Sequence, residues 1–178
     1  MSRWTLYPGS GRIPDAASPD LRARSHTIAA DVEVPVPTSS GVVLAHGDRN
    51  AGYALRLDAG RLVHDYVHHG HHTLTRSTYD VPVGRPVRLA VDVRRTGIGA
   101  DVTLLVDGQE AGTGNVPLLA RARTGYTGVD VGCDRGLTVG GYPAPARFPG
   151  LLRCVEVEAG DDQWLDLVAA WEIEGATG

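Results

Sequence analysis

The chain has 178 residues, of which 42% are hydrophobic and 21% are charged, as expected for a single soluble globular domain with its own core. The formal net charge of -4 argues against a nucleic-acid partner, because phosphate binding needs a concentrated basic surface. All 17 basic residues are arginines, which excludes chemistry that needs a lysine amine. We find neither a signal-like apolar run nor a membrane-spanning segment, so we expect a cytoplasmic protein without a membrane partner.

The 23 glycines and 11 prolines are spread along the chain and separate short β-branched runs, which is typical of an all-β protein. We predict one domain over residues 1–178, a jelly-roll sandwich of two antiparallel sheets on which an N-terminal arm, residues 1–24, packs. The predicted strands are residues 25–34, 42–46, 53–57, 61–68, 71–79, 87–93, 103–106, 110–112, 152–158 and 164–173, the last of them paired with the N-terminal strand.

Two predicted hairpins set the register in the middle of the chain. A two-residue turn at His69-Gly70 places His68 opposite His71, and by the same register Tyr66 faces Thr73 and His64 faces Thr75. The preceding hairpin, closed by the three residues 58–60, puts Ala54 opposite His64 and Arg56 near Leu62. A slip of one residue would turn every side chain of a strand to the opposite face.

Five of the seven histidines lie within residues 64–72. Because side chains alternate between the faces of a strand, the predicted register gathers polar side chains on one concave sheet face. That face carries Arg56, His64, Tyr66, His68, His71, Thr73 and Thr75. Three interpretations remain open: a solvated face without a role, a ligand-binding surface, or a site where histidines bind a metal or transfer protons.

In the ligand-binding interpretation Tyr66 stacks on the ligand, Arg56 supplies a charged fork, and His64, His68 and His71 supply hydrogen bonds. His46, at a strand end, and Trp4, in the arm, are further candidate ligand-binding residues, together with Thr73.

In the catalytic interpretation His64, Tyr66 and His68 act as acid and base, since histidine transfers protons near neutral pH. No cofactor is required, but His64, His68 and His71 are candidate ligands of a divalent metal, since imidazole suits zinc, copper or nickel. Asp130 and Asp134 are candidate calcium ligands, against the simpler interpretation of a strand end followed by a turn.

Several short motifs together resemble the C-terminal domain of bacterial arylsulfatase-type enzymes, over about residues 7–157. They are the run Arg-Ser-His-Thr-Ile from Arg24, the pair Gly52-Tyr53, the turn Val106-Asp107-Gly108 and the closing motif Phe148-x-Gly150. The resemblance implies a concanavalin A-like, laminin-G-like sandwich that stands alone here. The sulfatase nucleophile motif, Cys or Ser followed by x-Pro-x-Arg, is missing, so we do not expect a sulfatase.

From these patterns we predict a standalone module that binds a small molecule or a glycan on the concave face. The first alternative is a small hydrolase, lyase or cyclase that uses the same histidines. The second is a structural or oligomerisation module, and a homodimer is compatible with all three. One sandwich fold serves many functions, so the fold alone does not decide among them.

Overall fold

The computed structural model describes residues 1–121 and 127–165. In that part of the chain eleven strands are joined by turns, and Asp15–Ala17 forms one short 3₁₀ turn. The strands are β1 Ser2–Leu6, β2 His26–Glu33, β3 Gly41–Gly47, β4 Ala51–Asp58, β5 Arg61–His68, β6 His71–Asp80, β7 Pro86–Thr96, β8 Gly99–Val106, β9 Gln109–Val116, β10 Val129–Val131 and β11 Leu151–Ala159. None of the described residues forms a helix that could cross a membrane.

The strands form two antiparallel sheets, which confirms the predicted all-β sandwich. One sheet has six strands in the order β1-β11-β2-β7-β8-β9, and the other has five in the order β10-β3-β4-β5-β6. Nine of the predicted strands coincide with observed ones to within four residues at either end. The tenth, residues 164–173, lies almost entirely outside the described residues.

The hydrophobic core lies between the facing surfaces of the two sheets. Strand alternation brings Ile28 and Leu89 from the six-stranded sheet against Leu55 and Leu57 from the five-stranded sheet, and all four are almost fully buried. Burying each such side chain stabilises the fold by about 1.5–3 kcal/mol. The core therefore fixes which face of each strand points inward.

The N-terminal arm contains a strand that the sequence analysis did not predict. β1 pairs with β11 at the edge of the six-stranded sheet, with Trp4 opposite Val157. The Trp4 side chain is partly buried and packs against the core.

Two-residue turns with positive φ at both positions close the central hairpins. His69 and Gly70 have φ of 49° and 75°, and the pairs His68–His71, Tyr66–Thr73 and His64–Thr75 lie in the predicted register. Ala59 and Gly60 have φ of 48° and 85°, the signature of a type I′ turn, which suits the twist of paired strands.

The turn at Ala59-Gly60 corrects the predicted register between β4 and β5. The turn has two residues, not three, so Asp58 pairs with Arg61 and Leu55, not Ala54, lies opposite His64. Arg56 pairs with Val63 and therefore points to the opposite face of the sheet from His64 and Tyr66. The prediction that Arg56 shares a face with these side chains was wrong by one residue.

Candidate functional site

His64 lies inside the sandwich and does not line an open polar face. It pairs with Leu55 on the inner face of the five-stranded sheet, and only 1% of its surface is exposed. Neither ring nitrogen has a hydrogen-bond partner. Burial, with a smaller contribution from His26, lowers the His64 pKa to about 3, so the ring is neutral at ordinary pH.

Tyr66 and Thr75 share this buried face. The Tyr66 hydroxyl oxygen accepts a hydrogen bond from the Ala120 backbone N–H at 2.7 Å, and burial raises the pKa of the phenol. The Thr75 hydroxyl is buried without a partner. The Tyr66 ring is therefore only 8% exposed and lies on the inner face of the sheet, not on an open concave surface.

The remaining histidines of the cluster lie at the β5–β6 hairpin tip. His71 is exposed and His68 is half-buried, as is Thr73. Burial, then the neighbouring His69 and His71, lowers the His68 pKa. The hairpin thus separates its histidines into a buried His64 and a more exposed tip, because the buried part of β5 ends at Val67.

Within the described ranges 1–121 and 127–165, no group of three His, Cys, Asp or Glu side chains is placed to hold a metal ion. His64 is buried in the core, whereas His68 and His71 lie at the hairpin tip, so the structure does not bring these three side chains together.

The predicted calcium ligands are bound by protein groups. The Asp130 carboxylate accepts a 2.7 Å hydrogen bond from Arg12, and Asp134 accepts one from the Val139 backbone N–H at 2.9 Å.

His46 lines a pocket at one end of the sandwich, which we call the end pocket. His46 Nδ1 lies 3.1 Å from the Tyr53 hydroxyl, and Nε2 lies 2.8 Å from Asp15 Oδ1. Because a carboxylate only accepts, His46 Nε2 carries a proton and donates the hydrogen bond to Asp15. Burial raises the Tyr53 pKa above its ordinary value. The volume of this pocket is about 80 Å³.

A larger depression lies on the outer face of the five-stranded sheet, the face turned away from the core. We call it the outer groove, and its volume is about 350 Å³. It is lined by Ser40, Gly41, Val42, Arg56, Tyr142, Pro143, Pro145, Ala146 and Arg147. The volume falls in the range of 300–1,000 Å³ typical of ligand pockets, whereas the end pocket is far smaller.

Segment 132–149 forms one wall of the outer groove. Backbone hydrogen bonds in both directions between Asp134 and Ala146, each 3.1 Å long, close the segment into a loop. Val139 from this loop packs on Ala54 and Val67 of the sheet in a second, smaller hydrophobic cluster. The cluster holds the loop against the outer face.

Tyr142, in this segment, lines the outer groove and is held in place by the protein. Its hydroxyl donates a 2.6 Å hydrogen bond to Asp134 Oδ2, and the Arg56 guanidinium lies 5.1 Å from its ring centroid. Burial, followed by the bond to Asp134, raises the Tyr142 pKa, so the phenol stays protonated. An aromatic ring fixed beside a cation offers a ligand both an apolar face and N–H donors.

Of the predicted site residues, the structure therefore places Arg56 in the larger depression, while His46 and Tyr66 line the smaller one. Sequence reasoning missed Tyr142 and Arg147, which lie in a proline-rich stretch without strand periodicity. The only signal there was an aromatic residue among prolines, which does not identify a binding site.

The sequence matches no protein-family model and no characterised protein. The fold, however, is similar to that of several solved structures. The carbohydrate-binding module CBM40 of the Ruminococcus gnavus IT-sialidase, bound to α2,3-sialyllactose, has a TM-score of 0.62 at 12% identity, with 91% of this chain and 92% of that chain covered.

Two animal proteins show the same architecture. A heptameric SAP-like pentraxin from Limulus polyphemus has a TM-score of 0.53 at 14% identity, covering 89% of this chain and 76% of that one. Domains LG4-5 of the mouse laminin α1 chain have a TM-score of 0.53 at 16% identity, covering 90% of this chain and 42% of that one. The protein thus has the jelly-roll sandwich fold of the concanavalin A and laminin-G type. The finer resemblance to arylsulfatase C-terminal domains stays a prediction.

Proposed function

We propose that this protein is a glycan-binding module and that the outer groove is its binding site. The observation that carries the proposal is the fixed pair of Tyr142 and Arg56 in a groove of about 350 Å³. Sugars present an apolar face of C–H groups and a rim of hydroxyls. An aromatic ring matches the first and guanidinium N–H donors match the second.

The fold neighbours give independent support at the level of ligand class. The Ruminococcus gnavus module that shares this sandwich is solved with a bound sialyllactose. A likeness at 12% identity concerns the fold, so the ligand class of this chain is inferred from its own groove. We also propose that the arylsulfatase-like motifs reflect a shared sandwich and not shared chemistry.

The groove is prepared before a ligand arrives, which favours a binding role. Asp134 holds the Tyr142 hydroxyl, and the second hydrophobic cluster holds the loop that carries it. A ligand therefore loses little affinity to ordering of the protein.

The test is calorimetric titration of the protein with a panel of soluble oligosaccharides. We expect Tyr142→Ala to abolish binding and Tyr142→Phe to retain most of it, because the ring supplies the contact surface. Tyr7→Ala is the matched control, since Tyr7 is 60% exposed and lies outside the groove. If no oligosaccharide binds, or if Tyr142→Ala binds as well as the wild type, the proposal fails.

The end pocket supports a second candidate function, a small enzyme. The chain of hydrogen bonds from Asp15 through His46 to Tyr53 resembles the arrangement in which a carboxylate orients an imidazole for proton transfer. In this candidate His46 replaces His64, Tyr66 and His68 as the acid–base group, because His64 is buried in the core. The same oligosaccharides, incubated with the protein and analysed by mass spectrometry, test it: product that disappears in His46→Asn supports an enzyme, and binding without product supports the module.

A further inference from the structure

The charge of the outer groove points to a particular class of glycan. Its lining includes two arginines, Arg56 and Arg147, and no Asp or Glu. The whole chain is acidic, with a formal charge of -4, so a depression lined by two cations and no anion departs from the average surface. Positive charge without a counter-charge favours an anionic ligand.

Arg56 is the more informative of the two cations. Its side chain is only 13% exposed, less than those of Arg95, Arg22 and Arg12, which also approach carboxylates. It nevertheless makes no hydrogen bond in the described part of the chain, and its Nε is buried without a partner. Buried charged groups are normally paired, because leaving a donor unsatisfied away from water costs free energy.

The nearest carboxylate does not satisfy Arg56. Asp58 Oδ2 lies 3.6 Å from Arg56 Nη1, beyond hydrogen-bond distance, and the same oxygen accepts a 2.7 Å hydrogen bond from Arg76. A second Arg76 nitrogen donates to the Asp58 backbone carbonyl at 3.0 Å. Arg76 therefore holds this carboxylate by hydrogen bonds, whereas Arg56 meets it only as an ion pair and makes no hydrogen bond to it.

Other half-buried arginines are paired differently. Arg22 is 27% exposed and binds Asp20 through two nitrogens, each at 2.8 Å. Arg12 is 35% exposed and binds the buried Asp130 at 2.7 Å. These two guanidinium groups are satisfied by carboxylates, whereas Arg56, like Arg24, keeps a buried Nε without a partner.

Arg147 supplies the second charge at the rim. It is exposed and makes no ion pair or hydrogen bond through its side chain with any described residue. Its backbone carbonyl packs closely over Gly41, so the main chain is fixed while the guanidinium is free to meet a ligand.

Two buried carboxylates near Tyr142 do not reverse this charge. Asp134 is bound by the Tyr142 hydroxyl and the Val139 N–H, and Asp65 lies 2.9 Å from His72 Nδ1. Both are 2% exposed and neither lines the groove. Both carboxylates are within hydrogen-bond distance of protein groups.

We propose that the ligand of the outer groove is a glycan that carries a carboxylate, with Arg56 and Arg147 as the groups that bind the anion and Tyr142 as the surface for its sugar ring. The inference rests on the proposed function and specifies the class of glycan that the outer groove binds. A planar carboxylate matches the planar fork of a guanidinium and accepts two parallel hydrogen bonds from it. Hydroxyls of a neutral sugar would leave Arg147 without a counter-ion and Arg56 with only the Asp58 carboxylate that it shares with Arg76.

The experiment compares matched pairs of ligands by calorimetry. Trigalacturonic acid is paired with its methyl ester, and 3′-sialyllactose is paired with lactose. We expect at least one acid to bind about tenfold or more tightly than its neutral partner, the usual scale for one charge-assisted hydrogen-bonded pair. Arg56→Gln and, separately, Arg147→Gln should reduce the ratio of the affinity for the acid to the affinity for its neutral partner toward one.

The control variant is Arg153→Gln, which removes the same charge from an exposed residue on the six-stranded sheet. It should leave the acid-to-neutral ratio unchanged. Circular dichroism monitors folding of each variant, and the exposed Arg147 keeps the test valid even where Arg56→Gln does not fold.

The outcomes separate the two proposals. Equal affinity for acid and neutral partners, with binding lost in Tyr142→Ala, overturns the carboxylate inference and leaves glycan binding intact. Tighter binding of lactose-3′-sulfate than of every carboxylate overturns the choice of carboxylate. Absence of binding to any of these glycans overturns both.

Discussion

The Tyr142 hydroxyl donates a 2.6 Å hydrogen bond to the carboxylate of Asp134, which is 2% exposed. This bond joins the tip of a loop to the turn at its start and fixes the aromatic ring on the outer face of the sheet. Burial is the largest influence on the Asp134 pKa and raises it, against the opposing hydrogen bonds. The hydrogen bond therefore fixes the position of Tyr142, which lines the outer groove.

The first prediction concerns stability at this pair. Tyr142→Phe removes the hydroxyl and leaves a buried carboxylate oxygen with one partner fewer, so we expect a loss of about 1–3 kcal/mol in the free energy of unfolding. Urea denaturation measures it. The control Tyr7→Phe, at an exposed tyrosine, should change stability by less than about 0.5 kcal/mol. An unchanged stability in Tyr142→Phe would show that the bond does not hold the loop.

The second prediction concerns the buried His64. Both its ring nitrogens lack partners, so His64→Leu removes an unsatisfied polar group and keeps an apolar volume in the core. We expect a gain of about 1–3 kcal/mol at pH 7, measured by urea denaturation. His71→Gln, at the exposed hairpin tip, should have almost no effect. A His64→Leu protein less stable than the wild type would show that the imidazole makes a favourable interaction in the core.

The third prediction is the pH dependence of stability. The folded-state pKa values of His64 and His26 are lowered to about 3 and about 4 from 6.5, mainly by burial. Below pH 6.5 the unfolded chain therefore binds protons that the folded protein excludes, and stability falls as pH falls. Each histidine contributes about 1.4 kcal/mol per pH unit between its two pKa values.

Urea denaturation at pH 7, 6 and 5 measures this slope, and His64→Leu should remove about half of it. Asp20, whose pKa is lowered to about 2, contributes in the same direction, but its contribution is lost only in stronger acid, below about pH 4. If the slope of stability against pH is the same in His64→Leu as in the wild type, the assignment of this pH dependence to His64 is contradicted.

The fourth prediction tests the wall of the groove. A Cβ at Gly41 would overlap the Arg147 backbone carbonyl and contact the Pro149 ring. Gly41→Ala should therefore push segment 132–149 away from the sheet, destabilise the protein by about 1–3 kcal/mol and weaken glycan binding. Gly141→Ala is the matched control in the same segment, since a Cβ there meets nothing within 4 Å. Equal binding by both variants would show that the wall does not shape the site.

Much of the fold could be predicted from the sequence, because strand alternation and turn residues are local signals. His69-Gly70 has glycine at a position of positive φ, and the register that follows from it is confirmed. Ala59-Gly60 forms the same kind of turn, but alanine rarely adopts positive φ, so nothing in the sequence favoured two turn residues over three. The difference of one turn residue shifts the register between β4 and β5 and places Arg56 on the other face of the sheet.

The site was harder to predict because both faces of β5 are buried. His64 packs between the sheets, while Asp65 and Val67 are covered by segment 132–149. The alternation in β5 therefore does not show which side is the core. The position of Tyr142 depends on a loop without periodicity that returns to the sheet through long-range contacts, and no short pattern encodes those.

The most direct test of the account is a ¹H–¹⁵N NMR titration of the protein with trigalacturonic acid and with 3′-sialyllactose. We expect saturable shifts, with at least one of the two acids, at the amides of Gly41, Arg56, Tyr142 and Arg147, and no comparable shifts for Ala51 and Tyr53 at the end pocket. Shifts confined to the end pocket, or none with either acid at millimolar concentration, would contradict the assignment of the outer groove as the binding site for an acidic glycan.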